Sequence, residues 1–303
     1  AQKDAGKDGQ GESGKPDRTK EEILGEIFAR WIREGKPLVA TAYMCRSAQN
    51  VADMAKVLGR TEDAEKYQTL ADKIRTVYDR YFISEDGVIE PGHQAAYVRA
   101  LAFDLVSEKK RPAVVRQLIL EIEKNDYCLN TGFLSTPFLL PVLVEEGYAD
   151  LAYRILEQRK SPSWLHAVEL GATTILESWD GMDAHRASFN HYSFGAVCDF
   201  LFSYTAGIRV EADHPGYREF TLCPVIGGTL TGASAFYESR YGTIRSEWKL
   251  DTDRGIWEYD CSVPVNTTAR VILPDRIKLT VGSGTWHFSG ESPVAETTEG
   301  KVR

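Results

Sequence analysis

The chain has 303 residues, of which 43% are hydrophobic and 26% charged, so it is long enough for one large domain or two smaller ones. Its formal net charge of -8, and the lack of a basic stripe with interleaved aromatic residues, argue against a nucleic-acid partner. No apolar run reaches the length of a membrane span, so we expect no membrane partner either.

The cysteines are scattered and none has a C-x-x-C partner, so we expect neither a zinc site nor a disulfide framework, and most of the thiols to be buried. They are Cys45, Cys128, Cys198, Cys223 and Cys261. The sequence also contains no G-x-S-x-G elbow, no phosphate-binding glycine loop and no H-E-x-x-H motif. We therefore expect neither a cofactor nor a metal.

Residues 1–20 are mainly Lys, Asp, Gly, Gln and Ser, and such a stretch cannot bury enough apolar surface to fold alone. We expect a flexible loop or linker there. Across residues 21–206, apolar residues recur at three- and four-residue spacing, which predicts helices. The predicted helices cover residues 38–58, 61–78, 93–106, 111–124, 134–145, 148–158 and 189–205.

Long helices joined by short loops predict an array of α-hairpins, which is either a solenoid or a closed ring. No fixed sequence period recurs, and this disfavours a solenoid. The segment 189–201 is apolar nearly all round, as expected of an inner wall that is enclosed on every side. Both observations favour the ring. Between the first two helices, Gly59 is expected as a C-terminal cap and Thr61 as an N-cap.

After about residue 207 the pattern changes to short alternating segments. Ile244, Trp248 and Leu250 fall on one face of a predicted strand, and the run 257–263 shows the same alternation after a turn at 253–255. The sequence therefore predicts an all-helical part, residues 21–206, followed by a small antiparallel β-sandwich, residues 207–303.

The first candidate site is Glu177, followed by Trp179 and Asp180 in a turn-prone loop. A carboxylate beside an indole suits a sugar-cleaving pocket, because the ring covers the apolar face of a pyranose while the carboxylate acts on water or a hydroxyl. The alternative interpretation is a surface loop with one buried tryptophan and solvated acids.

The second candidate lies at the start of the last predicted helix, where Asn190 and His191 can offer hydrogen bonds to sugar hydroxyls. Gly195 shares the helical face of His191 and leaves room beside it. The alternative is a capped helix with a satisfied core histidine.

Two further segments are ambiguous. Trp164 is either a platform for a sugar ring or a core anchor, and periodicity does not separate the two. The segment 131–138 is interpreted as a loop that enters a helix, with the hydroxyls of Thr131 and Ser135 as caps.

Several of these stretches resemble one family. Gly171-Ala-Thr-Thr-Ile-Leu-Glu-Ser-Trp-Asp-Gly181 resembles the general-base loop, usually written GATTIWERWDG, of the bacterial α-L-rhamnosidases of glycoside hydrolase family 78. The segment 188–197 is similar to that family's SFNHYAFGAV helix, and weaker resemblances run in the same order from about residue 38 to 288. The resemblance implies helical hairpins of an (α/α)6 barrel, followed by a C-terminal β-sandwich. It also implies an inverting hydrolase that releases terminal α-L-rhamnose from rhamnosides or polysaccharides.

Carried over by position, the resemblance implies that Glu177 is the general base and that Trp179 and Asp180 line the sugar subsite. It further implies that His191 hydrogen-bonds rhamnose and that Trp164 forms a wall of the pocket. In the base loop, the family's Trp and Arg are replaced by Leu and Ser, at positions 176 and 178.

The family's general acid lies in an upstream D-x-x-x-x-E-R-x-G-W-x-G-D segment that this sequence lacks. We therefore expect the C-terminal part of a rhamnosidase-like enzyme, with half of the barrel, which is inactive without the N-terminal part of the same polypeptide. Three alternatives remain at this point: a non-catalytic carbohydrate-binding relative, a helical scaffold of the TPR type, and a different ring-forming glycosidase or polysaccharide lyase.

Overall fold

The computed structural model describes residues 36–179, 181 and 187–291, together with six single positions between residues 19 and 30. The predicted linker 1–20, apart from Thr19, lies outside the described residues, and so does the predicted subsite residue Asp180.

A helical part comes first in the described chain, as predicted. Its helices are α1 (Lys36–Val57), α2 (Thr61–Phe82), α3 (Gln94–Ala102), α4 (Arg111–Lys124), α5 (Thr136–Glu145), α6 (Ala149–Leu156), α7 (Trp164–Glu169), α8 (Tyr192–Gly195) and α9 (Val197–Phe200), followed by a π-helical turn, Leu201–Thr205. Six of the predicted helices correspond to α1–α6 within a few residues at each end. The short helix α7 was not predicted, because its six residues are too few for a period to emerge.

The first hairpin explains why neighbouring helices pack closely. The buried positions of α1 recur every three or four residues and are mostly alanine, so the backbone of α2 can approach. Gln49 and Gln68 exchange amide hydrogen bonds of 3.0 and 3.1 Å across the pair. Gly59 has a φ of 68° after α1, as a C-terminal cap requires. Thr61, however, is the first helical residue and not the N-cap; Arg60 occupies that position without a side-chain cap.

The last predicted helix, 189–205, is wrong in two respects. It is interrupted at Ala196 and widens into the π-helical turn, which a pattern of apolar residues does not reveal. The segment is also not enclosed on every side, since Phe189 is 52% exposed and Tyr192 is 85% exposed.

The second part is all-β, as predicted, and begins at Ile208 in the described chain. The strands are β1 (Ile208–Val210), β2 (Glu219–Leu222), β3 (Gly232–Ser239), β4 (Gly242–Asp251), β5 (Ile256–Val263), β6 (Thr268–Ile272), β7 (Lys278–Val281) and β8 (Gly284–Glu291). They form two four-stranded sheets of order β1-β2-β6-β7 and β3-β4-β5-β8. Neighbouring strands are antiparallel except for β2 and β6, which are parallel.

The core of the sandwich follows the predicted alternation. Trp248 of β4 lies opposite Tyr259 of β5, and both side chains are at most 1% exposed. Ile244 and Trp257 are also fully buried, while intervening charged residues face solvent. Burying these large rings on one face of each strand explains the register, because a slip by one residue would expose all of them.

The helical part and the sandwich are joined through backbone carbonyl groups. Trp248 Nε1 donates to the carbonyl of Thr205 at 2.8 Å, and Ser246 Oγ donates to the carbonyl of Ala206 at 2.5 Å. From the helical side, the hydroxyl of Tyr153 donates to the carbonyl of Val225 at 2.5 Å. We call these three hydrogen bonds, made by Trp248, Ser246 and Tyr153, the joint. Two of them fix the chain at the end of the π-helical turn to the sandwich.

No helix in the described part of the chain is both long enough and apolar enough to cross a membrane.

Candidate active site

Two loop segments pair to build the candidate site. Glu177 N donates to Ser188 O at 3.0 Å, and His191 N donates to Ile175 O at 2.8 Å. The hydroxyl of Thr174 donates to the carbonyl of Phe189. These bonds place the predicted base loop beside the start of α8, so the two candidate constellations of the sequence meet in space.

Glu177 is held by one oxygen and open at the other. Its Oε2 accepts a 2.6 Å hydrogen bond from the backbone N–H of Ser188, eleven residues along the chain. Oε1 has no hydrogen bond to any described residue, and the half-buried side chain lines a cavity of about 600 Å³. The carboxylate is thus oriented by the backbone and still has an oxygen that can accept a proton from water or a hydroxyl.

Trp179 forms a fixed wall of the same cavity. Its ring stacks on Phe194 at a centroid distance of 3.7 Å, and its Nε1 donates to the carbonyl of Thr131 at 2.9 Å. Phe194 covers one ring face and the indole N–H is bound to Thr131, while the ring also lines the cavity. An indole in this position offers the flat apolar surface that the sequence led us to expect beside Glu177.

Trp164 lies in a layer behind Trp179. It is 7% exposed, meets Trp179 edge to face at 5.7 Å, and donates from Nε1 to the carbonyl of Phe194 at 3.0 Å. It lines a separate space of about 30 Å³ and is not among the described residues that line the large cavity. Of the two interpretations that the sequence left open, this geometry favours the core anchor.

His191 is the N-cap of α8, which the alternative interpretation anticipated. Its Nδ1 accepts a hydrogen bond from Ser193 N–H at 3.3 Å, so in the neutral imidazole the proton is on Nε2. The ring stacks between Phe133, at 5.0 Å, and Tyr192, at 5.1 Å. His191 is not among the described residues that line the cavity, but the ring on which it stacks, Phe133, is one of them.

Asn190 is exposed, and its side-chain amide has no hydrogen bond to the described residues. Its backbone is fixed instead, because Asn190 N donates to Ser188 Oγ at 3.1 Å. Asn190 is not among the described residues that line the cavity.

The cavity also contains Arg99, which the sequence analysis did not single out, and Phe133 from the segment 131–138 that was interpreted as a loop. The described lining residues are Arg99, Thr131, Gly132, Phe133, Leu134, Ser135, Glu177, Ser178, Trp179 and Phe194. Arg99 is a single charge within the apolar stretch of α3, and that isolation was the signal that could have pointed to it.

The hydroxyls of Thr131 and Ser135 do not act as simple helix caps. Ser135 occupies the N-cap position of α5 but makes no side-chain cap bond; its Oγ accepts from Arg99 Nη1 at 2.7 Å. Thr131 Oγ1 instead bonds the hydroxyl of Thr136 at 2.8 Å. The predicted caps are therefore wrong, because a buried guanidinium and a neighbouring hydroxyl take up these groups.

Among the described residues, no group of three or more His, Cys, Asp or Glu side chains is arranged to hold a metal ion. The cysteines are all unpaired thiols, and only Cys198 among them is exposed.

Comparison with known proteins assigns both parts of the chain. Residues 31–205 match the family model of the bacterial α-L-rhamnosidase 6 hairpin glycosidase domain. Residues 207–286 match that of the bacterial α-L-rhamnosidase C-terminal domain. The chain belongs to the bacterial α-L-rhamnosidase family. The expected resemblance to glycoside hydrolase family 78 is thereby confirmed, and the TPR-type scaffold is excluded.

Individual rhamnosidases are similar across most of the chain. An α-L-rhamnosidase of Streptomyces avermitilis is 38% identical over 259 residues, which are 82% of this chain and 25% of that protein. The crystal structure of the S. avermitilis α-L-rhamnosidase complexed with L-rhamnose has a TM-score of 0.77 at 37% identity, covering 84% of this chain and 27% of that one. The α-L-rhamnosidase of Aspergillus terreus has a TM-score of 0.79 at 32% identity, over 83% of this chain and 30% of that one. The chain thus spans about a quarter to a third of the length of these rhamnosidases.

Proposed function

We propose that the polypeptide to which this chain belongs is an inverting α-L-rhamnosidase, and that this chain contributes the general base, Glu177. The substrate is a glycoside or polysaccharide that carries a terminal α-L-rhamnose. The observation that carries the proposal is the position of Glu177 on a large cavity, with one carboxylate oxygen fixed by Ser188 and the other open. The relatives support it by their names, since those compared above are called α-L-rhamnosidases.

In the proposed reaction, Glu177 removes a proton from a water molecule that attacks the anomeric carbon from the face opposite the leaving group. The fixed Oε2 keeps the carboxylate oriented, so Oε1 is the oxygen that accepts the proton. Inverting enzymes separate the base from the acid by roughly 6.5–9.5 Å, because the water must fit between the base and the sugar. We assign the acid to the remainder of the polypeptide, so we expect residues 1–303 alone to be inactive.

The sugar subsite is proposed at the wall formed by Trp179. The part of its ring that lines the cavity is suited to an apolar face of rhamnose, and Asp180, which lies outside the described residues, is assigned to the same subsite by the family motif. His191 and Asn190 are proposed as donors to sugar hydroxyls, from Nε2–H and from the side-chain amide. Trp164 supports this subsite from behind by holding Trp179.

We also propose the predicted division of the chain, with residues 21–206 as part of the barrel and residues 207–303 as the C-terminal sandwich domain. The family matches, which change at residue 206, support this division. No observation favours a non-catalytic carbohydrate-binding relative.

Replacement of the base tests the proposal. In the full-length polypeptide, Glu177→Gln should lower kcat on an aryl α-L-rhamnoside by about a hundred- to ten-thousand-fold, because the amide cannot accept the water proton. Glu123→Gln, at an exposed position of α4, is the matched control and should keep wild-type turnover. Near wild-type turnover by Glu177→Gln would refute the assignment of the base.

The stereochemistry of the reaction is tested separately. Proton NMR of the first product should show the anomer opposite to that of the substrate; retention would refute inversion.

A further inference from the structure

Arg99 places a buried positive charge at the wall of the active-site cavity. The side chain is 7% exposed, rises from the middle of α3, and lines the same cavity as Glu177 and Trp179. One guanidinium nitrogen, Nη1, donates to Ser135 Oγ at 2.7 Å, and that hydroxyl in turn lies 3.3 Å from the carbonyl of Ala95. The guanidinium is therefore held in place by a neutral partner.

No carboxylate of the described residues pairs with this guanidinium. The groups close enough to influence its charge are the phenols of Tyr78 and Tyr43, and burial is the main reason that the pKa of Arg99 is lowered. Among the residues that the structure describes, Arg99 Nε has no hydrogen-bond partner, and the buried hydroxyl of Tyr78 has none either. The hydroxyl of Tyr43 is already engaged as a donor, to the carbonyl of Leu134 at 3.0 Å.

A buried guanidinium remains charged at any physiological pH, and buried charges in proteins are normally paired. The five N–H donors of arginine are matched by a planar oxyanion, which can take up two of them at once. Neutral rhamnose has hydroxyls but no charge, so the sugar proposed at Trp179 does not supply the missing partner. An anion that enters the cavity would supply it.

We propose that Arg99 selects rhamnosides whose neighbouring sugar carries a carboxylate, such as a uronic acid, and that it binds this carboxylate. The proposal rests on the function proposed above and adds the class of the group to which rhamnose is attached. Arg99 is a specificity residue in this account; it takes no part in proton transfer.

Two observations favour a substrate anion over an acidic side chain from elsewhere in the polypeptide. The first is shared space. Arg99, Glu177 and Trp179 line one cavity of about 600 Å³, within the range of roughly 300–1,000 Å³ that is typical of small-molecule pockets. The second is charge: a carboxylate that enters the cavity beside Glu177 needs a local cation to offset its charge. Among the described lining residues, Arg99 is the one cation.

The test compares two disaccharides with the same linkage, α-L-rhamnose on D-glucuronic acid and α-L-rhamnose on D-glucose, in the full-length enzyme. We expect wild-type kcat/KM to be about 10- to 100-fold higher for the acidic disaccharide, as a charge-assisted hydrogen bond to a buried group implies. Arg99→Met should abolish this preference, because kcat/KM should fall about 10- to 100-fold more on the acidic substrate than on the neutral one. Arg99→Lys should keep part of the preference, since it keeps the charge but not the planar fork. Arg116→Met, at an exposed position of α4, is the matched control.

Several results would overturn the proposal. Equal wild-type kcat/KM for both disaccharides, or an equal loss on both in Arg99→Met, would assign Arg99 to a polypeptide carboxylate. If Arg99→Met does not fold, inhibition of the wild type decides: free glucuronate should inhibit hydrolysis of the neutral disaccharide more strongly than glucose, and equal inhibition refutes the proposal. If the wild-type enzyme hydrolyses neither disaccharide and no aryl rhamnoside, the proposed function itself is refuted, and the inference with it.

Discussion

The helical part and the β-sandwich differ in how completely they satisfy their own buried polar groups. Three buried side-chain atoms lack a hydrogen-bond partner among the described residues, Arg75 Nε, Tyr78 Oη and Arg99 Nε, and all three belong to the helical part. In the sandwich, the indoles of Trp248 and Trp257 donate to the carbonyls of Thr205 and Glu291, and Ser246 bonds the hydroxyl of Tyr259.

The helical part and the sandwich therefore differ in whether their own residues satisfy their buried polar groups. Unpaired buried groups lower stability, so they persist where something outside the region completes them or where a ligand binds. Arg99 and Glu177 both lie at such a surface, the wall of the large cavity. The sandwich, in contrast, is closed by its own residues and by its joint to the end of the helical part. Stability should therefore depend most on the sandwich and its joint, and activity on the cavity.

The largest expected effect on stability comes from the sandwich core. Trp248→Ala removes a ring that is 1% exposed and should lower the free energy of unfolding by about 3–5 kcal/mol, through lost burial and a residual cavity. Phe133→Ala, at a cavity position that is 41% exposed, should be much milder because solvent already reaches the ring. Urea unfolding of both variants measures the difference. Equal losses would contradict the division into a closed sandwich and an open cavity wall.

A smaller effect is expected at the joint. A Cβ atom at Gly227 would overlap the ring of Tyr153, which is fully buried and held by its hydroxyl. Gly227→Ala should therefore destabilise the protein by about 1–3 kcal/mol, as overpacking typically does. Gly282→Ala, where nothing lies within 4 Å of the added atom, is the matched control in the same thermal-unfolding assay. Equal stability of the two variants would show that the joint is loosely packed.

The smallest expected effect is loss of one hydroxyl at the joint, in Tyr153→Phe. At neutral pH it should cost about 1 kcal/mol, because the carbonyl of Val225 loses its donor. Burial raises the pKa of Tyr153 to about 12 from the usual 10, so its protonated form is favoured by folding. This stabilisation is complete below pH 10 and is lost as the pH rises through about 12.

The difference in unfolding free energy between the wild type and Tyr153→Phe should therefore narrow from pH 10 upwards, as measured by urea unfolding at each pH. Tyr148→Phe removes an exposed hydroxyl and is the control. Its free energy of unfolding should differ little from that of the wild type across the same pH range. A difference that stays constant to pH 12 would contradict the buried, hydrogen-bonded hydroxyl.

The sandwich was the easier region to predict from sequence, because strand alternation reports burial directly. Ile244, Trp248, Trp257 and Tyr259 all point inward, as their two-residue spacing indicated. The parallel pairing of β2 with β6 was not predictable, since the short strand β2 has no pattern that selects its neighbour.

The candidate site was predictable in part. The motif around Glu177 and the helix start at His191 were identified separately, but their pairing depends on backbone bonds across a loop that no local pattern encodes. Trp164 remained ambiguous in the sequence because a sugar platform and a core anchor use the same residue type. Arg99 was missed because residues 93–106 were predicted only as a helix, with no residue assigned to a site, and Ser135 was assigned to capping when its hydroxyl binds that guanidinium.

The joint between the two parts has an evolutionary consequence. Trp248 and Ser246 recognise the main-chain oxygens of Thr205 and Ala206, and every amino acid presents that oxygen. Drift in the identity of those two residues therefore leaves both attachment bonds chemically possible, whereas drift at Trp248 or Ser246 deletes one. Selection should therefore act mainly on Trp248 and Ser246 of β4. Substitutions at residues 205 and 206 should be tolerated more readily than substitutions at these two positions.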